Sequence, residues 1–196
     1  MKAVMATNNP NKLKEAREIL APLGIEVLSQ QEAGAAVEPE ENGETFADNA
    51  MIKAKAVFDV VHMPVFADDS GLCVDALHGA PGVHSARYAP KGQECDKLLR
   101  EMQNVPDAER SAHFACCIAY IDENGSGTLS AACHGKIGYT QRGGNGFGYD
   151  PVFLYNGRTL AELSSDEKNA ISHRGAALRL LYEVYQERYG KQDADK

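Results

Sequence analysis

Apolar positions along the chain recur with two spacings, which predict alternating strands and helices. Short apolar runs at residues 2–6 and 25–28 predict strands. Between them, apolar side chains from Leu13 onward recur every three or four residues, which predicts a helix ending at Gly24. Pro10 stands where the first turn of that helix tolerates proline. The chain is therefore expected to begin as strand, helix and strand.

The next segment combines an acidic loop, a long helix and a pair of acids. Residues 30–44 are acidic and have no apolar period, which predicts a loop, and Thr45 is the expected N-cap of a long helix. Residues 64–67 predict a short buried strand that stops at an acidic turn, Asp68-Asp69-Ser70-Gly71. A returning strand is expected at residues 72–74.

The second half continues the same alternation and closes with two helices. We expect its last residues, 190–196, to be frayed. In chain order the pattern predicts a loop with a short helix at residues 79–88, a helix at 96–102, strands at 111–121 and 128–137 joined by a hairpin signal at 122–125, a glycine-rich loop at 138–150, a short element at 159–163, and helices at 166–171 and 175–189 separated at Ser172-His173-Arg174.

Length and composition fit one α/β domain spanning residues 1–196, with 43% hydrophobic and 24% charged residues. No apolar run approaches the roughly 20 residues of a membrane span, and the first residues predict a strand rather than an export signal. Five cysteines, an odd count without a C-x-x-C pair, favour a reducing compartment, so we expect a cytoplasmic protein. The net charge of -8 disfavours nucleic-acid binding, so a phosphate ligand would need local cations.

A candidate phosphate site lies between the first strand and the first helix, at Thr7-Asn8-Asn9-Pro10-Asn11-Lys12. Free backbone N–H groups at a helix start bind anions, and Lys12 adds a positive charge. The glycines and the Lys-Ser/Thr pair of a Walker P-loop are missing. An ordinary Asx-capped helix explains the same residues equally well. On the second helix, Asn49 and Lys53 lie four residues apart and share one face, where phosphate is also a candidate ligand.

A candidate magnesium site lies at the acid pair. A tight turn would let the side chains of Asp68 and Asp69 converge, and Mg²⁺ prefers oxygen ligands while keeping waters and phosphates in its shell. Glu40 or Glu41 in the acidic loop is a candidate for a further ligand. A merely solvated acidic turn and a charged surface are the alternatives.

The glycine-rich stretch at residues 143–151 is a candidate site for a base. Glycine lets the backbone approach a ligand closely, and Phe147 is placed to stack on an aromatic base. The alternative is a glycine-rich turn with Phe147 and Tyr149 in the core.

Hydrogen-bond donors cluster where the last two predicted helices meet. His173 and Arg174 interrupt the helical region, and Lys168 precedes them. Such donors would favour a purine with a 6-keto group over adenine, which presents an amino group there. A helix-terminal charge cluster is the alternative.

Six motifs in this order resemble those of the inosine triphosphate pyrophosphatase family, most closely the bacterial dITP/XTP pyrophosphatases. Order and spacing match over nearly the whole chain. The motifs are Thr7-Asn8-Asn9-Pro10-Asn11-Lys12, Thr45-Phe46 with Asn49-Ala50, Ala67-Asp68-Asp69-Ser70-Gly71-Leu72, Ser85-Ala86-Arg87-Tyr88, Gly146-Phe147-Gly148-Tyr149-Asp150-Pro151 and Glu167-Lys168-Asn169-Ala170-Ile171-Ser172-His173-Arg174-Gly175.

The resemblance implies an α/β fold with a twisted mixed β-sheet flanked by helices, and two lobes with a central cleft. It also implies a homodimer, Mg²⁺ as cofactor, and hydrolysis of ITP, dITP and XTP to the monophosphate and pyrophosphate. By the same resemblance, Asp69 is the proton acceptor and a metal ligand, and Glu40 or Glu41 completes the metal site. The implied substrate contacts are Thr7, Asn8, Asn9, Pro10, Asn11, Lys12 and Lys53 for the triphosphate, Ser70 for the substrate without a stated part, Phe147, Gly148, Tyr149 and Asp150 around the base, and Lys168, His173 and Arg174 for base and phosphate recognition.

The chain departs from the family pattern at two places. Thr7-Asn8-Asn9 has asparagine where many relatives carry glycine, and the loop at residues 89–95 is shorter than its family counterpart. Two other functions remain open on the sequence. One is a related pyrophosphatase acting on pyrimidine or ordinary triphosphates, and the other is a nucleotide-sensing module without turnover, against which the paired acids argue because they would repel a polyphosphate without a metal.

Overall fold

A computed structural model of the chain describes residues 1–190. The expected fraying at residues 190–196 lies outside the described part, apart from Gly190, whose N–H still donates to the carbonyl of Gln186. Within residues 1–190, no helix is both long enough and apolar enough to cross a membrane.

The expected mixed sheet is present, and within residues 1–190 it has seven strands. The strand order is β2-β1-β3-β4-β5-β6-β7, and β1 pairs in parallel with both β2 and β3, whereas β6 pairs antiparallel with β5 and β7. Only residues 123 and 124 separate β4 from β5, which confirms the predicted hairpin. The strands are β1 (Lys2–Met5), β2 (Glu26–Ser29), β3 (Val65–Val74), β4 (Ser111–Asp122), β5 (Gly125–Ile137), β6 (Phe153–Tyr155) and β7 (Arg158–Thr159).

Five α-helices accompany the sheet in the described part of the chain, and several of them start at a side-chain cap. Thr45 caps α2 through a box in which its side chain accepts the N–H of Asp48 and the Asp48 carboxylate accepts the N–H of Thr45, as predicted. Ser164 caps α4 with Glu167 in the same way. The helices are α1 (Pro10–Leu20), α2 (Phe46–Val61), α3 (Glu94–Glu101), α4 (Ser165–Ile171) and α5 (His173–Tyr189).

The chain divides into two compact units. Among the described residues, the first comprises 1–69, 116–131 and 175–190, and the second comprises 70–115 and 132–174. The interpretation as a single two-lobed domain stays a prediction.

The first unit is layered, with helices on both faces of its strands. Alternate residues of β3 separate the two faces. Phe66 packs with buried residues of α1 and α5, such as Leu20 and Leu181, whereas Val65 packs with buried residues of α2, such as Ala54. Side-chain direction along β3 therefore decides which helix each residue meets.

The second unit has its own core, to which α3, β6 and parts of β3, β4 and β5 contribute. At one end of this core the guanidinium of Arg110 is only 1% exposed and donates four hydrogen bonds to backbone carbonyls. Those carbonyls belong to Met102, Val105, Ile137 and Gly138, so the residue ties the end of α3 to the end of β5.

Two local predictions are wrong. The expected acidic turn at residues 68–71 does not exist, because Val65–Val74 is one continuous strand. Asp68 and Asp69 are tolerated inside the strand because they form ion pairs with Lys12 of α1 and Lys53 of α2. The break between the last two helices is Ser172 alone, with an extended backbone, and His173 and Arg174 already belong to α5.

Candidate active site

Asp69 lies on the face of β3 that packs against α2, and two side chains of that helix hold its carboxylate. Nδ2 of Asn49 donates to Oδ2 of Asp69 at 3.3 Å, and Nζ of Lys53 lies 3.4 Å from Oδ1. Because Asn49 and Lys53 are four residues apart on α2, the predicted shared face is confirmed.

The surroundings of Asp69 suit it to accept a proton. Burial raises the pKa of this carboxyl, and although Lys53 and Lys12 oppose the rise, they do not cancel it, while the charge of Glu41 adds to it. Burial lowers the pKa of Lys53, but Asp69 and the other nearby carboxylates outweigh burial, so that this pKa is raised and the ammonium stays protonated at neutral pH. A carboxylate with a raised pKa beside a fixed cation is a suitable general base.

Asp68 meets a different lysine on the opposite face of the strand. Its Oδ2 atom lies 3.2 Å from Nζ of Lys12 on α1, and the side chain is 1% exposed. Successive strand residues point to opposite faces, so the predicted convergence of Asp68 and Asp69 in a turn is wrong. Lys12 is nevertheless close enough to lower the pKa of Asp69, so one cation acts on both acids.

The acidic loop reaches this site through Glu41 and Gly43. Oε2 of Glu41 lies 2.8 Å from Nζ of Lys53, and the N–H of Gly43 donates to Oδ1 of Asn49 at 2.8 Å. A Cβ atom at Gly43 would lie 2.5 Å from the Cβ atom of Asp48, so glycine is required there. The structure thus brings Glu41 to the site. Glu40 is exposed, and within residues 1–190 its side chain has no ion pair.

The first turn of α1 does not offer the free N–H groups expected of an anion site. Oδ1 of Asn9 accepts the N–H groups of Asn11 and Lys12 at 2.9 and 3.3 Å, and Oγ1 of Thr7 accepts the N–H of Asn9 at 3.1 Å. Pro10, the first residue of the helix, has no N–H. The Asx cap that the alternative predicts is therefore present, and phosphate binding by residues 7–12 stays a prediction, for which the ammonium of Lys12 is the available cation.

Asn8 ties the same loop to the segment that follows β2. Its Oδ1 atom accepts hydrogen bonds from Gln30 and Gln31 at 2.9 and 2.8 Å, and its Nδ2 atom donates to Glu38 at 2.9 Å. Gln30 is buried and also donates to the carbonyl of Val37. Asn8 thus holds the start of the acidic loop beside the loop that precedes α1.

In the second unit, Phe147 lies beside two cations. Nζ of Lys168 is 4.7 Å from the centre of the ring, and the guanidinium carbon of Arg174 is 5.6 Å from it. Nη2 of Arg174 also donates to Oγ of Ser70 at 2.9 Å. Phe147 is partly exposed, whereas both cations are buried. A half-exposed ring flanked by buried donors is able to stack on a base and to bind acceptors on its edge.

A buried ion pair fixes the loop that carries Phe147. Nζ of Lys168 lies 2.6 Å from Oδ2 of Asp150, and the same oxygen accepts the N–H of Phe147 at 2.9 Å. A Cβ atom at Gly146 would lie 2.1 Å from that oxygen, so only glycine fits before the aromatic ring. Asp150 is 2% exposed, which makes it a support for the loop.

Two other predicted base contacts, Tyr149 and His173, are engaged within the protein, whereas Gly148 is exposed. Tyr149 belongs to the core, and its hydroxyl donates to the carbonyl of Ser85, as the core alternative for this residue expects. The ring of His173 is 4% exposed and stacks on Phe114, with 4.7 Å between ring centres. Gly148 is exposed and has a φ of 61°, in the left-handed region that favours glycine.

Comparison with known proteins identifies the family of the chain. The model of the Ham1 family matches residues 3–184, which is most of the chain. The chain belongs to the Ham1 family. The resemblance drawn from the six motifs is thereby confirmed.

Relatives of this Ham1 family member match it over most of its length. A dITP/XTP pyrophosphatase of Treponema denticola is 49% identical over 188 residues, covering 91% of this chain and 95% of the relative. A dITP/XTP pyrophosphatase of Tropheryma whipplei is 47% identical over 193 residues, covering 96% and 97%. A solved HAM1 protein from Coxiella burnetii superposes with a TM-score of 0.83 at 43% identity, covering 95% of this chain and 99% of that one.

The donors of this Ham1 family member fit magnesium only in the company of other ligands. Within residues 1–190, no group of three or more His, Cys, Asp or Glu side chains is arranged to hold a metal ion. Mg²⁺ is often held by one or two carboxylates with water and substrate phosphates completing its shell. Asp69 and Glu41, which share Lys53, provide such a pair.

Two residues that support the site were missed as such in the sequence. The sequence places Asn49 on the same helix face as Lys53 but does not show that it holds Asp69. Asn49 is buried in α2, and a buried amide needs specific hydrogen-bond partners. Ser85 bonds to residues 13 and 64 positions away in sequence, and no local pattern indicates such long-range contacts.

Proposed function

We propose that the chain hydrolyses 6-keto purine nucleoside triphosphates, such as ITP, dITP and XTP, to the monophosphate and pyrophosphate. Support comes from relatives named dITP/XTP pyrophosphatase, which are 49% and 47% identical over 91% and 96% of this chain. The observation that carries the proposal is Asp69, a buried carboxylate with a raised pKa held by Asn49 and Lys53. Removal of deaminated purine nucleotides from the precursor pool is the cellular purpose that this reaction serves.

The reaction begins with attack of water on the α-phosphorus. The oxygen of water forms a bond to that phosphorus, the bond from the α-phosphorus to the bridging oxygen breaks, and pyrophosphate leaves with the electron pair. Asp69 accepts the proton that the water loses. Its raised pKa makes it a stronger base than an ordinary aspartate.

The lysines of the first unit stabilise the phosphates. Lys53 and Lys12 carry positive charge next to the two acids, so they are placed to offset the charge of the triphosphate and of the departing pyrophosphate. The polar side chains of Thr7, Asn9 and Asn11 line the same loop. In this role the side chains of the loop replace the free N–H groups that the Asn9 cap consumes.

Magnesium is the proposed cofactor. Asp69 and Glu41 would hold it, and the resemblance leaves Glu40 as the alternative to Glu41. Asp68 lies on the opposite face of β3, where it pairs with Lys12. When bound, Mg²⁺ supplies positive charge that stabilises the charge developing on the phosphates. The contact of Glu41 with Lys53 favours Glu41 over the exposed Glu40.

The second unit supplies base recognition in this proposal. Phe147 stacks on the purine, and Lys168, His173 and Arg174 are the donors for its 6-keto oxygen and for phosphate. Adenine presents an amino group at that position and would leave a buried donor without an acceptor, which disfavours ATP. Ser70 bonds to Arg174 and would orient that guanidinium.

We further propose that the protein acts as a cytoplasmic homodimer. All five cysteines are free thiols, which suits a reducing compartment. The homodimer rests on the family resemblance.

Chromatographic analysis of the products tests the proposed reaction. The protein is incubated with ITP, XTP, dITP, ATP or dTTP and with Mg²⁺, and we expect monophosphate and pyrophosphate in equal amounts from the first three. A chelator in excess over Mg²⁺ is expected to stop the release. Preferred turnover of dTTP or ATP would support the related pyrophosphatase instead, and tight binding of ITP without products would support a nucleotide sensor.

A further inference from the structure

We propose that Tyr149 is a positioning residue that anchors the Phe147 loop, residues 146–150, to Ser85 and does not itself contact the base. The inference rests on the proposed function, since the anchored loop carries the ring that stacks on the purine. It replaces the expected role of Tyr149 as a direct base contact.

The environment of Tyr149 argues against a direct contact with the base. The residue is 5% exposed and packs in the core of the second unit, with the ring of Tyr88 6.4 Å away. Its hydroxyl donates to the carbonyl of Ser85 at 2.9 Å. Burial raises the pKa of this phenol well above its ordinary value, so the hydroxyl keeps the proton that it donates.

Ser85 is itself fixed by two further hydrogen bonds. Its Oγ atom donates to the carbonyl of Gly82 at 2.6 Å and accepts the N–H of Leu72 at 2.9 Å. Leu72 lies on β3 two residues after Ser70, the residue that receives a hydrogen bond from Arg174. Tyr149 therefore connects the Phe147 loop, through Ser85, to the strand segment that orients Arg174.

The loop needs such an anchor because of its backbone. Gly146 and Gly148, on either side of Phe147, have φ values of 73° and 61°, and glycine gives a chain large conformational freedom. The Asp150 carboxylate restrains one end of the loop through Lys168 and the N–H of Phe147. The Tyr149 hydroxyl restrains the loop toward Ser85, so the ring of Phe147 is held against its two cations.

A tyrosine-to-phenylalanine substitution tests this role, because it removes the hydroxyl and keeps the ring that packs in the core. For Tyr149→Phe we expect the KM for ITP to rise about fivefold, the effect of one lost hydrogen bond, with a smaller change in kcat. The ratio of kcat/KM for ITP to that for ATP is expected to fall. Chymotrypsin cleavage after Phe147, followed by mass spectrometry, is expected to become faster.

The control is Tyr185→Phe, which alters a similarly buried tyrosine of the first unit whose hydroxyl has no hydrogen-bond partner among residues 1–190. We expect that variant to keep the wild-type KM, base preference and cleavage rate. Ser85→Ala, which removes the two Oγ bonds and retains the carbonyl, is expected to shift the same three quantities as Tyr149→Phe.

Two results would overturn the inference. One is an unchanged KM and unchanged base preference in Tyr149→Phe, and the other is cleavage after Phe147 at the wild-type rate. Failure of the proposed function looks different, since the wild-type protein would then release no pyrophosphate from ITP. Even in that case the cleavage measurement reports whether the hydroxyl anchors the loop.

Discussion

Asp68 and Asp69 are neighbours in sequence, yet each carboxylate pairs with a lysine from a different helix. Asp68 meets Lys12 of α1 at 3.2 Å, and Asp69 meets Lys53 of α2 at 3.4 Å. The alternation of side chains along β3 produces this division. Substitutions at the two ion pairs should therefore have different effects.

Substitution of Asp69 tests the proposed general base. We expect Asp69→Asn to lower kcat for ITP by about 10²- to 10⁴-fold, because an amide cannot accept the proton of the attacking water. Initial rates of pyrophosphate release measure the loss, and circular dichroism checks the fold. The control is Asp59→Asn. Asp59 is an exposed carboxylate on α2 that pairs with Lys55, and this variant should keep the wild-type rate. A near-normal rate in Asp69→Asn would remove this residue from the mechanism.

Substitution of Lys12 tests the buried ion pair with Asp68. Because Asp68 is 1% exposed, we expect Lys12→Met to lower the free energy of unfolding by about 3 kcal/mol, the usual cost of removing one partner of a buried pair. Urea denaturation measures this change. The double variant Lys12→Met with Asp68→Asn should regain most of the stability, while its KM for ITP stays high because the phosphate-binding charge is still missing. Recovery of the wild-type KM would show that Lys12 does not bind substrate.

Asn49 is expected to position Asp69 through its amide. Asn49→Asp keeps an acceptor for the N–H of Gly43 but places a negative charge against the Asp69 carboxylate. We expect kcat to fall by about tenfold to a hundredfold, as for a lost hydrogen bond to a charged group. Steady-state kinetics measures the effect. Asn42→Asp adds the same charge at an exposed site in the acidic loop, and equal losses in the two variants would contradict the positioning role.

Glu167 is expected to make stability depend on acid. The hydrogen bond from Arg158, followed by that from the N–H of Ser164, lowers the pKa of Glu167 from 4.5 to about 2. Because the folded-state pKa is lower, the stabilisation is fully present above pH 4.5 and is lost as the pH falls toward about 2. Urea denaturation at a series of pH values should therefore show a steeper loss for the wild type than for Glu167→Gln. If stability fell in parallel with pH in the two proteins, the role of Glu167 would be contradicted. Added salt should reduce the difference between them, because Glu167 is exposed.

The parts of the fold that sequence predicts well are those with local causes. Thr45 caps α2 because its side chain and that of Asp48 satisfy neighbouring N–H groups, and the β4–β5 hairpin follows from its turn residues. The arrangement around Asp69 has no local cause, because its partners lie 16 and 20 residues away. Charge and glycine at residues 68–71 predict a turn, whereas lysines distant in sequence pair with the two acids and allow a strand instead.

Recognition residues were predicted by type more reliably than by role. Phe147 is partly exposed beside Lys168 and Arg174, as a base-stacking residue requires. Tyr149 is buried, although the two aromatic residues are separated by one glycine in the same motif. Only the fold distinguishes them, because burial depends on which side of the loop meets the core.

The alternation of side chains along β3 also restricts insertions and deletions in this strand. A point substitution changes one side chain, but loss or gain of a single residue before Asp68 would invert the phase of the strand. Phe66 would then be presented to the helix that now packs on Val65, and each lysine would meet the wrong acid or none. Insertions and deletions in this strand are therefore expected to be far more damaging than most substitutions. A deletion scan should recover few folded variants with deletions at residues 65–69.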